Sequence, residues 1–179
     1  MTGVLLINLG TPDQPTTDAV RRYLRQFLSD PRVIDIHPLA RALLLNLIIL
    51  PFRSPKSAAA YQKIWTEQGS PLLVHSQAFA GAVAKKLADS HVVALGMRYG
   101  SPSIESAIRQ LVGRGVSEIC ILPLYPQYSS SATGSSIEEV FRVTGKMWNV
   151  PPIKVLTPFL AIRDLSTPLP KGGGQSWTG

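Results

Sequence analysis

The chain has one cysteine, three histidines and 11 acidic residues among 179. A single thiol, Cys120, excludes an internal disulfide and fits a reducing compartment. Set within Ile119-Cys120-Ile121-Leu122, it reads as a buried strand residue and not as a nucleophile. The histidines, His37, His75 and His91, show no ligand spacing with one another or with the cysteine, so each reads as a satisfied or exposed imidazole. No run of five or more basic residues occurs, which argues against nucleic acid as a partner. Walker A, nucleophile-elbow and dinucleotide patterns are missing too; Gly113-Arg114-Gly115 falls where a helix must stop before a strand.

Export and membrane signals are equally scarce. The apolar run at 4–9 follows no basic region and leads to no small-residue cleavage site, against a secretory signal. The stretch 39–50 is interrupted by Arg41 and Asn46 and falls short of the ~20 residues a membrane span needs. A cytoplasmic protein is expected.

What is present suits one globular core. The length and 45% hydrophobic content allow a single sizeable domain. Charged residues reach only 16%, against the roughly 25% usual for soluble domains, and 15 prolines imply a loop-rich or apolar surface. The net charge of +7 favours an anionic partner.

Four short apolar runs, 3–9, 91–97, 117–124 and 153–156, predict strands, and the near-continuous apolar character of the first and third predicts burial on both faces. Helical periodicity marks 17–28, 39–50, 57–68, 72–88, 104–112 and 137–147. The alternation predicts an α/β fold, a Rossmann-like parallel sheet of flavodoxin-type winding with helices on both faces. The excursion from the first to the second strand exceeds a simple crossover, so part of it should project. Two overlapping capping boxes at Ser135-Ser136-Ile137-Glu138-Glu139 should start the last helix. A domain at 1–160 is expected, with 161–179 a disordered tail.

Ligands of such sheets bind outside the carboxyl ends of the strands. Three segments are expected there. Asn8-Leu9-Gly10-Thr11-Pro12 is a turn whose glycine permits close approach, or simply a βα turn. Arg98 and Tyr99 after the second strand offer a carboxylate clamp and a stacking ring, or equally a surface ion pair and a packing contact. Tyr125, Tyr128 and the hydroxyl run from Ser129 to Ser136, with Thr133 and Ser135, precede a helix and form an anion seat. Arg53 and Lys56 are expected to flank a helix start, where a bound anion would offset their unfavourable place near the dipole. Tyr61 and Trp65 share a helical face.

Taken together, Asn8-Leu9-Gly10-Thr11-Pro12, Arg53-Ser54-Pro55-Lys56 with Tyr61, Gly69-Ser70-Pro71-Leu72, Arg98-Tyr99-Gly100 and Tyr125-Pro126-Gln127-Tyr128-Ser129 leading to Thr133-Gly134-Ser135-Ser136 resemble the ferrochelatase family. The resemblance covers residues 1 to about 160. It implies one of two chelatase-like domains, haem biosynthesis, protoporphyrin IX and ferrous iron as substrates, and no required cofactor. In that picture Leu9 packs on the macrocycle, and Arg53, Arg98 and the loop of Ser129, Thr133 and Ser135 hold propionates. Tyr61, Tyr99 and Tyr125 line the cleft. The stretch 39–50 resembles a hydrophobic lip at the inner membrane surface, implying peripheral membrane association; a plain core helix is the other reading. The family's metal-handling histidine and glutamate motifs do not occur here, so no catalytic or metal residue is identified. The resemblance thus implies a porphyrin-binding half, inactive alone. A flavodoxin-like phosphate or nucleotide module with its ligand at residues 133–136 is the alternative. A non-functional fragment and a homodimer of two halves are further readings.

Overall fold

The computed structural model describes residues 1–156; the expected boundary at 160 and the expected tail lie outside them. Four parallel strands are joined in the order β2-β1-β3-β4: β1 (Thr2–Thr11), β2 (His91–Gly100), β3 (Glu118–Pro123) and β4 (Ile153–Val155). β1 runs through the middle, and Val4, Leu5, Leu6 and Ile7 are all buried, as a central parallel strand requires. Cys120 does lie in β3 but is only half-buried, because β3 has less cover on that face.

Helices α5 (Ile104–Gly113) and α6 (Ser135–Thr144) close one face around Leu5, Ile7, Ile119 and Ile121. Each such enclosed aliphatic side chain contributes about 1.5–3 kcal/mol of burial. Helix α4 (Pro71–Lys86) covers the opposite side of β1 and β2. Helix α1 (Thr17–Leu28) has the bounds its periodicity predicts. Thr16 caps it by accepting from the Ala19 amide, and Ala19, Val20, Tyr23, Leu24 and Leu28 form its buried stripe.

Two segments differ from expectation. The prolines at 51 and 55 do not separate two helices. Instead α2 (Pro38–Leu44), a π turn (Leu45–Ile49) and α3 (Leu50–Ile64) form one continuous arm. Pro51 occupies the first turn of α3, where its missing N–H costs little, and the wider π turn ahead of it absorbs the register change. Arg53 and Lys56 therefore sit within a helix and not beside a helix start, which removes the dipole argument for an anion between them. The arm also corrects the core-helix reading of 39–50: Leu39, Leu43, Leu47 and Phe52 are exposed by 61 to 70%, while Leu45 and Leu50 alone of the arm's leucines point inward to α1 and Tyr99. The last helix begins earlier than its capping boxes predict. A π turn (Ser130–Gly134) capped by Ser129 leads into α6, which ends before Gly145, so Ser135 and Ser136 are released for other partners.

Candidate functional site

β1 lies between β2 and β3, so the chain leaves β1 towards one side of the sheet and later returns on the other. The carboxyl ends of β1 and β3 diverge there, the usual position for a ligand in an open α/β sheet. A cavity of about 320 Å³ opens at this point, lined by Asn8 and Leu124 from the strand ends and by Leu72, His75, Ser76 and Phe79 from α4. Asn8 donates from Nδ2 to Ser76 Oγ at 3.0 Å, which fixes the floor. Thr11 donates to Ser70 Oγ at 2.8 Å, tying β1 to the start of α4. The lining is mainly apolar with an imidazole, an amide and a hydroxyl among it, a composition suited to an organic ligand. None of His75, Ser76 and Phe79 stands out in the sequence: they face one side of an ordinary helix and carry no motif.

β1 and β2 run further than their apolar cores predict. Gly10 pairs with Tyr99 and Thr11 with Gly100, so these residues are strand and not turn. Gly10 at φ 103° and Gly100 at φ 84° make this possible. A Cβ on Gly10 would overlap the Tyr99 carbonyl, and one on Gly100 would press on the Thr11 carbonyl.

Four phenols gather at this end of the sheet. Tyr23 donates to the Gly10 carbonyl at 3.2 Å, and Tyr61, Tyr99 and Tyr125 all lie near enough to raise its pKa further once burial has done most of the work. Burial also raises Tyr61, Tyr99 and Tyr125, so all four remain protonated donors at neutral pH. Tyr125, half-buried, shares a hydrogen bond of 3.1 Å with Ser136. Tyr61 meets Trp65 edge to face, with ring centroids 6.3 Å apart. Tyr23 was not anticipated; its place in the buried stripe of α1 made it look like core packing alone.

Beneath the phenols is an ionic hub. Asp30, 6% exposed, follows the end of α1 and accepts from Arg98 Nη2 (2.7 Å), Tyr99 Oη (2.8 Å) and Ser135 Oγ (2.5 Å) on Oδ2, and from the Arg32 amide (2.8 Å) on Oδ1. Burial pushes its carboxyl upward, but the bonds from Ser135, Arg32 and Tyr99 and the charge of Arg98 outweigh it and hold the pKa below the usual carboxylate value. Arg98 also donates from Nε to Ser135 Oγ at 2.6 Å, and its Nη1 lies 3.8 Å from Glu139, itself held bidentately by Arg142.

These contacts show where each residue of the expected site lies. All three guanidinium nitrogens of Arg98 face internal carboxylates or a hydroxyl, so it presents no free fork to a ligand carboxylate. Tyr99 is fully enclosed, packed edge-on against Phe27 with centroids 5.1 Å apart, and has no face open for stacking. Ser135 is wholly buried in the hub. Thr133 is 2% exposed, and its hydroxyl has no hydrogen-bond partner among the described residues. Leu9 is half-buried against the α1 cluster with Tyr61. Ser129 is exposed, its hydroxyl accepting from the Ala132 amide at 3.1 Å. Arg53 is exposed on α3 and has no ion pair among the described residues. The structure thus separates the expected set into a more exposed layer, Leu9, Arg53, Tyr61, Tyr125 and Ser129, and an enclosed layer, Arg98, Tyr99, Thr133 and Ser135.

Among the described residues no three His, Cys, Asp or Glu side chains converge as a metal-binding group. No helix among them is long and apolar enough to cross a membrane.

A ferrochelatase family model matches residues 1–175. The ferrochelatase of Coxiella burnetii is 58% identical over 138 residues, which cover 77% of this chain and 39% of that protein. That of Legionella pneumophila is 52% identical over 157 residues, covering 88% of this chain and 47% of its own length. The chain therefore spans less than half the length of these curated relatives.

Proposed function

Because the chain belongs to the ferrochelatase family, we propose that residues 1–160 are the porphyrin-facing half of a ferrochelatase, which inserts ferrous iron into protoporphyrin IX in haem synthesis. The observations that carry the reading are the gathering of Tyr61 and Tyr125 with the buried Tyr23 and Tyr99 at the carboxyl end of the sheet, and a mainly apolar cavity at the β1 and β3 strand ends. Flat aromatic ligands are held by apolar and aromatic walls with few polar anchors. Leu9, Tyr61 and Tyr125 supply walls; Arg53 and the loop from Ser129 to Thr133 supply cationic and hydroxyl anchors for the two propionates. The net charge of +7 favours that dianion.

Metal insertion needs a base for the pyrrole protons and ligands to deliver iron. We assign those groups to the length of the relatives that lies outside the match, more than half of each. This chain alone then binds the macrocycle as substrate without metallating it. The exposed row Leu39, Leu43, Leu47 and Phe52, bordered by Arg41, Arg53 and Lys56, suits an anionic lipid surface and supports a cytoplasmic protein resting peripherally on the inner membrane. A phosphate or nucleotide at the start of α6 is a second reading, favoured by the unpartnered Thr133 hydroxyl there and by the flavodoxin-type strand order.

The test is anaerobic titration of the purified chain with protoporphyrin IX, followed by ferrous iron, reading the absorption bands. A saturable shift of the porphyrin bands with metallation at the protein-free rate is expected. Haem formation well above that rate would overturn the assignment of the chemistry to the remaining length. Saturable nucleotide binding with no porphyrin response would replace the reading with the second one.

A further inference from the structure

Asp30 joins three parts of the chain that are distant in sequence. Its carboxylate follows α1, while its donors come from the end of β2 (Arg98, Tyr99) and the start of α6 (Ser135), 68, 69 and 105 positions away. Its other oxygen accepts the Arg32 amide, and the Arg32 side chain continues the link outward. Nη1 donates to Ser130 Oγ at 3.1 Å and Nε pairs with Glu138. The turn from Ser129 to Ser135 is thus tied at its base by Asp30 and on its rim by Arg32. Ser129 and Ser130 are exposed, whereas Thr133, whose hydroxyl has no partner among the described residues, and Ser135 are buried at the base of the turn. A carboxylate receiving four donors in a nearly closed site is a rigid reference point, because each displaced donor would leave part of a buried charge unmatched.

We infer that Asp30 is a positioning residue: through Ser135, Arg98 and Arg32 it holds the turn at 129–135 in the conformation that receives an anionic substituent of the ligand. Arg98 thereby acts from beneath and not as a clamp on the ligand. This inference rests on the porphyrin reading for the identity of that substituent, a propionate, but not for the existence of the tie. A role confined to stability would weaken every ligand of the cleft alike. A positioning role weakens recognition of the carboxylates in particular.

The experiment uses the full 179-residue chain and two pigments, mesoporphyrin IX and its dimethyl ester, which share a macrocycle and differ in propionate charge. For Asp30→Asn the ratio of free-acid to ester affinity is expected to fall roughly tenfold, the scale of one charge-assisted hydrogen bond. Amide exchange at 130–136 should accelerate while the amides of β1 keep their protection. Ser135→Ala, which leaves the Asp30 to Arg98 pair intact, should lower the ratio in the same direction and serves if the first variant does not fold. Equal loss for acid and ester, or unchanged exchange at 130–136, overturns the inference. If the unaltered chain binds neither pigment, the porphyrin reading falls, and amide exchange still decides the positioning role by itself.

Discussion

The carbonyl of Tyr99 occupies the space that a side chain on Gly10 would need. The two residues pair across β1 and β2, and Gly10 reaches that position only with φ at 103°. Beyond this pair the strands still hold one further pair, Thr11 with Gly100, which carries the ends of β1 and β2 into the site.

Gly10→Ala should therefore be among the more damaging single changes. The positive φ and the overlap together cost on the order of 3–5 kcal/mol. Urea denaturation followed by circular dichroism measures the loss. A change below about 1 kcal/mol would mean that the strand ends do not depend on this close approach.

Acid stability should depend on Asp30. Its folded carboxyl titrates below the ordinary value, so between the unfolded and folded pKa the unfolded state binds more protons and stability rises with pH. The contribution is complete above an unfolded pKa of about 4 and is lost as pH falls through the folded pKa. Thermal melts from pH 7 downward should show a shallower acid limb in Asp30→Asn than in the unaltered chain.

At high pH the tyrosines set the opposite limit. Tyr23, Tyr61, Tyr99 and Tyr125 have raised folded pKa values, so their contribution is complete below an unfolded pKa of about 10 and is lost as pH rises. Tyrosinate absorbance is expected to appear for these four together with loss of the circular-dichroism signal. Ionisation of the buried Tyr23 and Tyr99 in a still-folded chain would contradict this expectation.

Association with vesicles should follow the arm. Replacing Leu43, Leu47 and Phe52 by Gln removes exposed apolar contacts without opening the core, so binding to vesicles of anionic phospholipid should fall roughly tenfold or more with the melting temperature retained. Co-sedimentation with such vesicles reads the effect; unchanged binding would assign the exposed row to another role.

The sequence was most readable where local rules act alone. Helix α1 kept its predicted bounds because Thr16 and the 19-20-23-24 stripe are both local signals, and the parallel sheet followed from the alternation of strands and helices; burial on both faces, expected of the first and third strands, holds for β1, whereas β3 buries only alternate residues. The sequence left alternatives open where distant residues decide. Arg98 and Tyr99 read equally as ligand groups or as an ion pair and a packing contact, because Asp30, their partner, lies 68 and 69 positions away and carries no motif of its own. The helical patterns 39–50 and 57–68 read as two helices, but a π turn and α3 carry the helix through the residues between them. The cavity at the ends of β1 and β3 could be expected from topology, yet its α4 wall could not, since nothing local distinguishes the side of α4 that faces it.

The π turn also sets a phase. One extra residue rotates everything after it by about 100° relative to an unbroken α-helix. Before and within the turn, the row Leu39, Leu43 and Leu47 faces solvent; after it, the row Leu50, Ser54 and Ala58 faces the core. Deleting a single residue between 45 and 49 would force a choice between those rows. Either the small side chains would leave the α1 interface or the bulky leucines would be driven into it. The arm is thus a two-faced rod whose faces are kept apart by one count of the chain, and length in this segment should tolerate change far less than residue identity does.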